Sequence, residues 1–170
     1  SVITNTVTNA LLAKTGQTNS YATGDDGDLE VGVEWSVPRF TVLKNTNCVR
    51  DNVTGLVWAR DANLFAQKSW GVCVTNCNDL NYGGHTDWRL PNVFEMESII
   101  NFGAFNPCLP AAHPFQNVQN NYYYTSTTRK DQEGVYYHYV HLGSAARGNA
   151  VGEFNDCYAW PVRGPDWVTE

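Results

Sequence analysis

Apolar residues are sparse over residues 1–38, a stretch rich in Thr, Asn, Gly and Asp that carries the turn Gly24-Asp25-Asp26-Gly27-Asp28. This predicts an extended N-terminal arm packed on a single domain that runs from 39 to 170. Residues 39–43 and 56–59 have the composition of strands, joined through the turn Asp51-Asn52-Val53-Thr54-Gly55. Behind Ser69, apolar Trp70, Cys73, Val74, Cys77 and Leu80 recur at three- and four-residue spacing. They mark one face of a helix that Gly83-Gly84 ends. Asn92, just after Pro91 and three residues before Glu95, opens a second helix with a capping-box pattern. Val93, Met96, Ile99 and Ile100 form its buried stripe, and Gly103 stops it. Past the prolines at 107, 110 and 114 the pattern turns to short strands at 122–127, 135–142, 151–154 and 158–162. Helices early and strands late predict an α+β domain, two helices packed on short antiparallel sheets. No repeat or low-complexity segment interrupts it.

The chain has 170 residues, enough for one ordinary domain to bury a core without a metal or a staple. Charged residues are only 16% of it and hydrophobic ones 42%, which excludes a disordered tail, a coiled coil and a collagenous rod. No apolar run is long enough to span a membrane, and no signal-peptide pattern follows Ser1, which says nothing of a leader preceding it. The net charge is −6 and the densest basic run is Arg129-Lys130, so nucleic acid and other polyanions are poor partners.

Five cysteines, Cys48, Cys73, Cys77, Cys108 and Cys157, contain only one short pair, Cys73–Cys77, which falls below a zinc pattern. With one Met and six Trp, the chain reads as an exported protein with one or two disulfides, most readily through Cys157 or Cys108. A cytosolic protein with inert buried thiols is the alternative.

Catalytic signatures are missing. G-x-S-x-G, H-E-x-x-H, a P-loop and G-x-G-x-x-G do not occur. His138 and His141 are three apart on a predicted strand, so they point to opposite faces and cannot chelate one ion. The carboxylates Asp25, Asp26 and Asp28 are candidate calcium ligands, but Val31 stands where an EF-hand loop needs glycine. The plainer reading is a turn whose Asp side chains bond to their own backbone.

The most unusual feature is aromatic. Seven of the nine tyrosines fall between 122 and 158, among Asn, Ser and Gly, the composition of binding loops. Tyr122, Tyr123, Tyr136, Tyr137, Tyr139 and Tyr158 are the expected contact surface, with Asn120, Asn121, His138 and Asn155 as polar fingers. Because strand side chains alternate, about half of these rings are expected outside and the rest in the core.

Several segments resemble the Lcl C-terminal domain family of bacterial secreted and surface proteins. They are Lys14-Thr15-Gly16-Gln17-Thr18, Tyr21-Ala22-Thr23-Gly24-Asp25-Asp26-Gly27-Asp28 and Pro38-Arg39-Phe40-Thr41. Then come Asp51-Asn52-Val53-Thr54-Gly55-Leu56-Val57-Trp58, Trp88-Arg89-Leu90-Pro91-Asn92 with Glu95 and Glu97-Ser98, Tyr124-Thr125-Ser126-Thr127-Thr128, and Trp160-Pro161-Val162-Arg163-Gly164. The resemblance implies a C-type-lectin-like fold, akin to the formylglycine-generating enzymes, that binds rather than catalyses, with Trp88 and Arg163 as scaffold. The pair Asn155-Asp156 before Cys157 resembles the calcium and sugar ligands of true C-type lectins, though no Glu-Pro-Asn or Gln-Pro-Asp loop precedes it. The namesake adhesin of the family binds sulfated polysaccharides through a basic surface, which does not carry over to a chain of charge −6. Some members are diversified by retroelements, and adenine-directed variation of Asn codons yields the residue types that enrich 120–158.

The expectation is an adhesion or ligand-binding module, extracellular, cell-surface or periplasmic, that meets a protein or glycan and needs no cofactor. A formylglycine-generating-type oxidase, requiring a copper-binding cysteine pair, and an assembly subunit without ligand are the alternatives.

Overall fold

Short alternating segments cannot bury an apolar face alone, so the chain pairs them into two small antiparallel sheets. The computed structural model describes residues 12–44, 47–151 and 156–166. Their elements in chain order are α1 (Asp26–Leu29), β1 (Phe40–Val42), β2 (Cys48–Asp51), β3 (Val57–Ala59), α2 (Trp70–Asn78) and α3 (Val93–Ser98). β4 (Tyr122–Lys130), β5 (Val135–His141), β6 (Ala146–Val151) and β7 (Val162–Arg163) follow. The first sheet has the order β1-β2-β3-β7 and the second the order β4-β5-β6. The architecture is α+β.

The first half of the sequence reading omits one strand. The segment 48–51 pairs with both β1 and β3, so the turn at 51–55 joins β2 to β3 rather than the two predicted strands to each other. Asp51 organises that turn. Its carboxylate accepts the Val53 N–H at 3.0 Å and the Thr54 hydroxyl at 2.8 Å, while its carbonyl accepts the Gly55 N–H at 2.8 Å. The same carboxylate takes the Arg39 Nε at 2.8 Å, and both partners are buried. Arg39 Nη2 continues to the Ser98 carbonyl at 2.6 Å, tying the sheet to the end of α3. A buried pair with this many hydrogen bonds is costly to break on one side only.

Both predicted helices form, and both are shorter than read. The Asn92 side chain accepts the Glu95 N–H while the Glu95 side chain accepts the Asn92 N–H, completing the capping box. The helix stops at Ser98, and Ile99 and Ile100 are buried just past its end. Ser69 precedes α2 in an extended conformation but makes no side-chain cap, and α2 ends at Asn78, before the glycines.

β6 occupies Ala146–Val151, a stretch with no predicted strand before 151; of the strand predicted over 151–154, residues 152–154 lie outside those described. The stretch from 158 splits its allegiance. Tyr158 runs beside β4, its N–H reaching the Tyr122 carbonyl and its carbonyl accepting the Tyr124 N–H, both at 3.0 Å. Val162 and Arg163 then pair with β3, so this segment stitches the two sheets together.

Apolar side chains gather in two clusters. The larger lies around Trp58 and Trp160, whose rings meet edge-on at 5.5 Å, with Phe115 against Trp160 at 4.7 Å. Trp88 belongs to it at 2% exposure, as expected, and its Nε1 donates to the Tyr82 carbonyl. The smaller cluster holds Cys73, Cys77, Leu90, Tyr124, Cys157 and Ala159 between α2 and the second sheet.

The arm is folded back rather than extended. Lys14 and Val33 meet through the hydrogen bonds Lys14 N–H to Val33 carbonyl at 3.0 Å and Val33 N–H to Leu12 carbonyl at 2.8 Å. Its acidic turn closes into α1 because the Asp25 carboxylate caps it, accepting the Asp28 N–H at 2.9 Å. The arm touches the body where the Phe102 N–H donates to the Thr15 carbonyl at 3.0 Å.

Candidate functional site

Three consecutive tyrosines must split between the faces of a strand, and they do. Tyr123 enters the larger cluster, whereas Tyr122 and Tyr124 turn to the smaller one. On β5 the same alternation sends Tyr137 and Tyr139 to the side of Tyr122, and Val140 to the side of Tyr123. Helix α2 then covers part of the tyrosine side, because a three-stranded sheet cannot leave an apolar face bare. What stays half-open is a rim of rings. Trp70 lies on Tyr137 at 4.6 Å, Tyr139 meets Tyr122 at 5.1 Å, and Tyr122 meets His141 at 4.6 Å. All five are partly buried.

The rim is held from behind. Trp70 Nε1 donates to the Thr125 carbonyl at 2.8 Å. Gly148 stands opposite Tyr139 across the ladder, and a Cβ there would come within 2.6 Å of the Tyr139 hydroxyl. The ring therefore lies across the β6 backbone at a place only glycine leaves open. Burial, helped by Tyr122, pushes the Tyr139 phenol up from its ordinary value, so it stays a neutral hydroxyl at physiological pH.

The expected contact surface is thus brought together only in part. Tyr122, Tyr137 and Tyr139 share the rim. Tyr123 has no exposed surface, accepts the Gln119 N–H at 2.9 Å, and is core. Tyr136, at 8% exposure, is covered by Arg129, whose guanidinium stands 3.8 Å over the ring, and its hydroxyl donates to Glu133 at 2.7 Å. Tyr158 stacks on Tyr123 at 5.5 Å, away from the rim. Of the six expected contact rings, Tyr123 and Tyr136 are buried and the other four are half-buried. Trp70 of α2 covers Tyr137, Arg129 covers Tyr136, and the larger cluster takes Tyr123 with Tyr158 against it.

Of the polar fingers, Asn120 is exposed, and Asn121 is half-buried with its side chain accepting the Tyr122 N–H at 2.8 Å. His138 points to the opposite side of β5 from His141. Its Nδ1 is buried and finds no partner among the described residues. Burial, with Arg147 and Arg129 nearby, holds its pKa below the usual value, so it is a neutral imidazole. Asn155 lies outside the described residues. Sequence reasoning missed Trp70, read as part of a buried stripe, and His141, weighed only as a metal ligand. The first-turn position of Trp70, at the open end of its helix, was the available signal.

The acidic turn is occupied by its own backbone. Asp25 accepts the N–H groups of Tyr21, Ala22 and Asp28 at 2.6, 3.0 and 2.9 Å, and Asp28 accepts that of Gly24 at 2.8 Å. Asp26 takes the Thr15 hydroxyl, and Asp156 is exposed. Among the described residues no three His, Cys, Asp or Glu side chains cluster as metal ligands.

All five cysteines are buried, and none is joined in a disulfide in the structure. Cys73 Sγ turns to the carbonyls of Lys68 and Cys157, at 3.6 and 3.7 Å. Burial pushes the Cys157 thiol up to about 11, and that of Cys77 higher still.

The model of the Lcl C-terminal domain matches residues 47–163, more than half of the chain, and the chain belongs to that family. The resembling segments before residue 47 fall outside the match. No curated protein and no solved structure matches the sequence. Among the described residues, no helix is long and apolar enough to cross a membrane.

Proposed function

We propose that this domain is a non-catalytic binding module of C-type-lectin-like fold, exported to the bacterial surface or periplasm, whose rim of Trp70, Tyr122, Tyr137, Tyr139 and His141 docks a protein or glycan ligand. The observation that carries this reading is the run of half-open rings fixed from behind by Gly148 and the Trp70 hydrogen bond. Rings already held in place lose little entropy on docking, and aromatic anchors supply most of the energy of such contacts. The acidic turn needs no calcium for its shape, since Asp25 already caps α1.

The oxidase alternative is disfavoured by chemistry. A reactive thiol needs an accessible, easily ionised sulfur, whereas Cys73 and Cys77 are fully buried and burial raises the pKa of Cys77. Retroelement diversification remains compatible with the rim alone. Tyr123, Tyr124 and Val140 are core, so variation there would cost stability, whereas rim positions are free to change.

The test is a glycan and protein array followed by rim variants. Tyr137→Ala and Tyr139→Ala should each weaken the captured ligand by about 1–2 kcal/mol while melting normally. Unchanged affinity in both, with loss on altering residues 14–28 instead, would sink this reading. Affinity that falls on chelation would return calcium to the site.

A further inference from the structure

Away from the rim, the arm and the loop after α3 enclose a cleft of about 450 Å³ that includes Lys14, Gln17, Glu30, Glu34, Trp35 and Asn101 in its walls. We propose that this cleft binds a neutral saccharide unit stacked on the Trp35 indole. The site is separate from the rim and does not depend on it. It is built largely by residues before 47, outside the family match.

Two backbone crossings make the cleft. Gly16 has φ +83°, and a Cβ there would stand 2.5 Å from both the Trp35 ring and the Asn101 side-chain oxygen. A Cβ on Gly103 would meet the Gly16 carbonyl at 2.5 Å. Glycine at both positions lets the two loops touch through backbone, sealed by the Phe102 N–H to Thr15 carbonyl bond.

Trp35 is half-buried and fixed. Its Nε1 donates to the Lys14 carbonyl at 2.8 Å, and the Arg39 guanidinium lies 4.5 Å from the ring centre. Arg39 is itself locked by its buried pair with Asp51, so the indole is backed by a rigid cation. A flat ring that cannot turn is a preformed platform for the C–H face of a pyranose.

The polar lining suits hydroxyls better than a formal charge. Lys14 Nζ pairs with Glu30 at 3.3 Å and also with Glu34, so one ammonium already serves two carboxylates. An anion would meet the uncompensated negative charge, and a cation would have to compete with Lys14. A sugar hydroxyl both donates and accepts, matching carboxylate oxygens, the ammonium and amide groups together. Asn101 uses its oxygen on the Gly103 N–H at 2.8 Å, which leaves its amide N–H donors for a ligand. The volume lies within the ~300–1,000 Å³ range of small-ligand sites.

The experiment titrates the whole chain with neutral hexoses, N-acetylhexosamines and their disaccharides, read by saturation-transfer NMR and tryptophan fluorescence. At least one probe should bind with a dissociation constant of roughly millimolar order. Trp35→Ala and Asn101→Asp, which keeps the oxygen that holds Gly103 and removes the amide donors, should each weaken it about tenfold or more, while Tyr137→Ala leaves it unchanged. If Trp35→Ala lowers the melting temperature, Asn101→Asp at unchanged melting decides. The proposal is overturned if no neutral probe binds, if both variants bind like the parent, or if lysine amide binds at Trp35 and the sugars do not. Loss in Tyr137→Ala alone would also overturn it and move the sugar to the rim.

Discussion

Arg89 holds Glu95 with both arms of its guanidinium, Nη1 to Oε2 at 2.7 Å and Nη2 to Oε1 at 2.6 Å. The same carboxylate accepts the Asn92 N–H at 2.8 Å, and Arg89 Nη2 reaches the Gly164 carbonyl at 3.3 Å. One carboxylate therefore caps α3 and anchors an arginine that bridges to β7 through paired backbone bonds with Val162. The spaced motif of Trp88-Arg89-Leu90-Pro91-Asn92 and Glu95 is a structural clasp.

Replacing Glu95 by alanine should cost about 1–2 kcal/mol, the scale of a lost helix cap, in a denaturant melt. Burial alone would raise this carboxyl, but the hydrogen bonds from Arg89 and from the Asn92 amide outweigh it and hold it below its usual value. A carboxyl depressed in the folded state contributes fully above its unfolded value of about 4.3, and that contribution is lost as pH falls through the folded value. Glu95→Gln should flatten the acid side of the stability profile. An unchanged acid limb would contradict the assignment.

Trp88→Ala should destabilise by about 3–5 kcal/mol, the usual range for deleting a core aromatic. The ring is 2% exposed, packs near Tyr82 at 6.2 Å, and satisfies the Tyr82 carbonyl. A loss under about 1 kcal/mol in chemical denaturation would show that the site refills.

Gly148→Ala should act on the rim more than on the fold. The added Cβ meets only the far end of the Tyr139 ring, which can swing outward. Stability should fall by no more than about 1 kcal/mol, as for a surface-side change, while the Tyr139 ring resonances shift in NMR. Adding Tyr139→Ala should abolish the Gly148→Ala penalty, because the clash then has no partner.

Thiol reagent should label none of the five cysteines of the native chain at neutral pH, since each is at most 1% exposed. In denaturant without reductant all five should react. A count of three would establish a disulfide in the native chain.

Some of this was written locally. The capping box of Asn92 and Glu95 and the turn organised by Asp51 depend on residues a few positions apart, and short-range hydrogen bonding reads out directly as sequence spacing. Alternation likewise dictates that Tyr123 leaves the side of Tyr122 and Tyr124, and that His138 and His141 part. The strand at Cys48–Asp51 was hidden because its burial does not alternate: Cys48, Val49 and Asp51 are all buried, the last by its pair with Arg39.

The sequence by itself determined the α+β class, the family, the acidic balance and that the β4 tyrosines split, Tyr123 to one side and Tyr122 with Tyr124 to the other. Only the tertiary structure decided which of those sides is left open. That outcome depends on where α2 lands on the β4–β6 sheet, a contact between residues separated by more than fifty positions that no local period encodes. The same holds for the cleft at Trp35, which Asn101, far along the chain, helps to line. A side chain's preference for burial is local chemistry; the partner that buries it is supplied by the packing of distant segments.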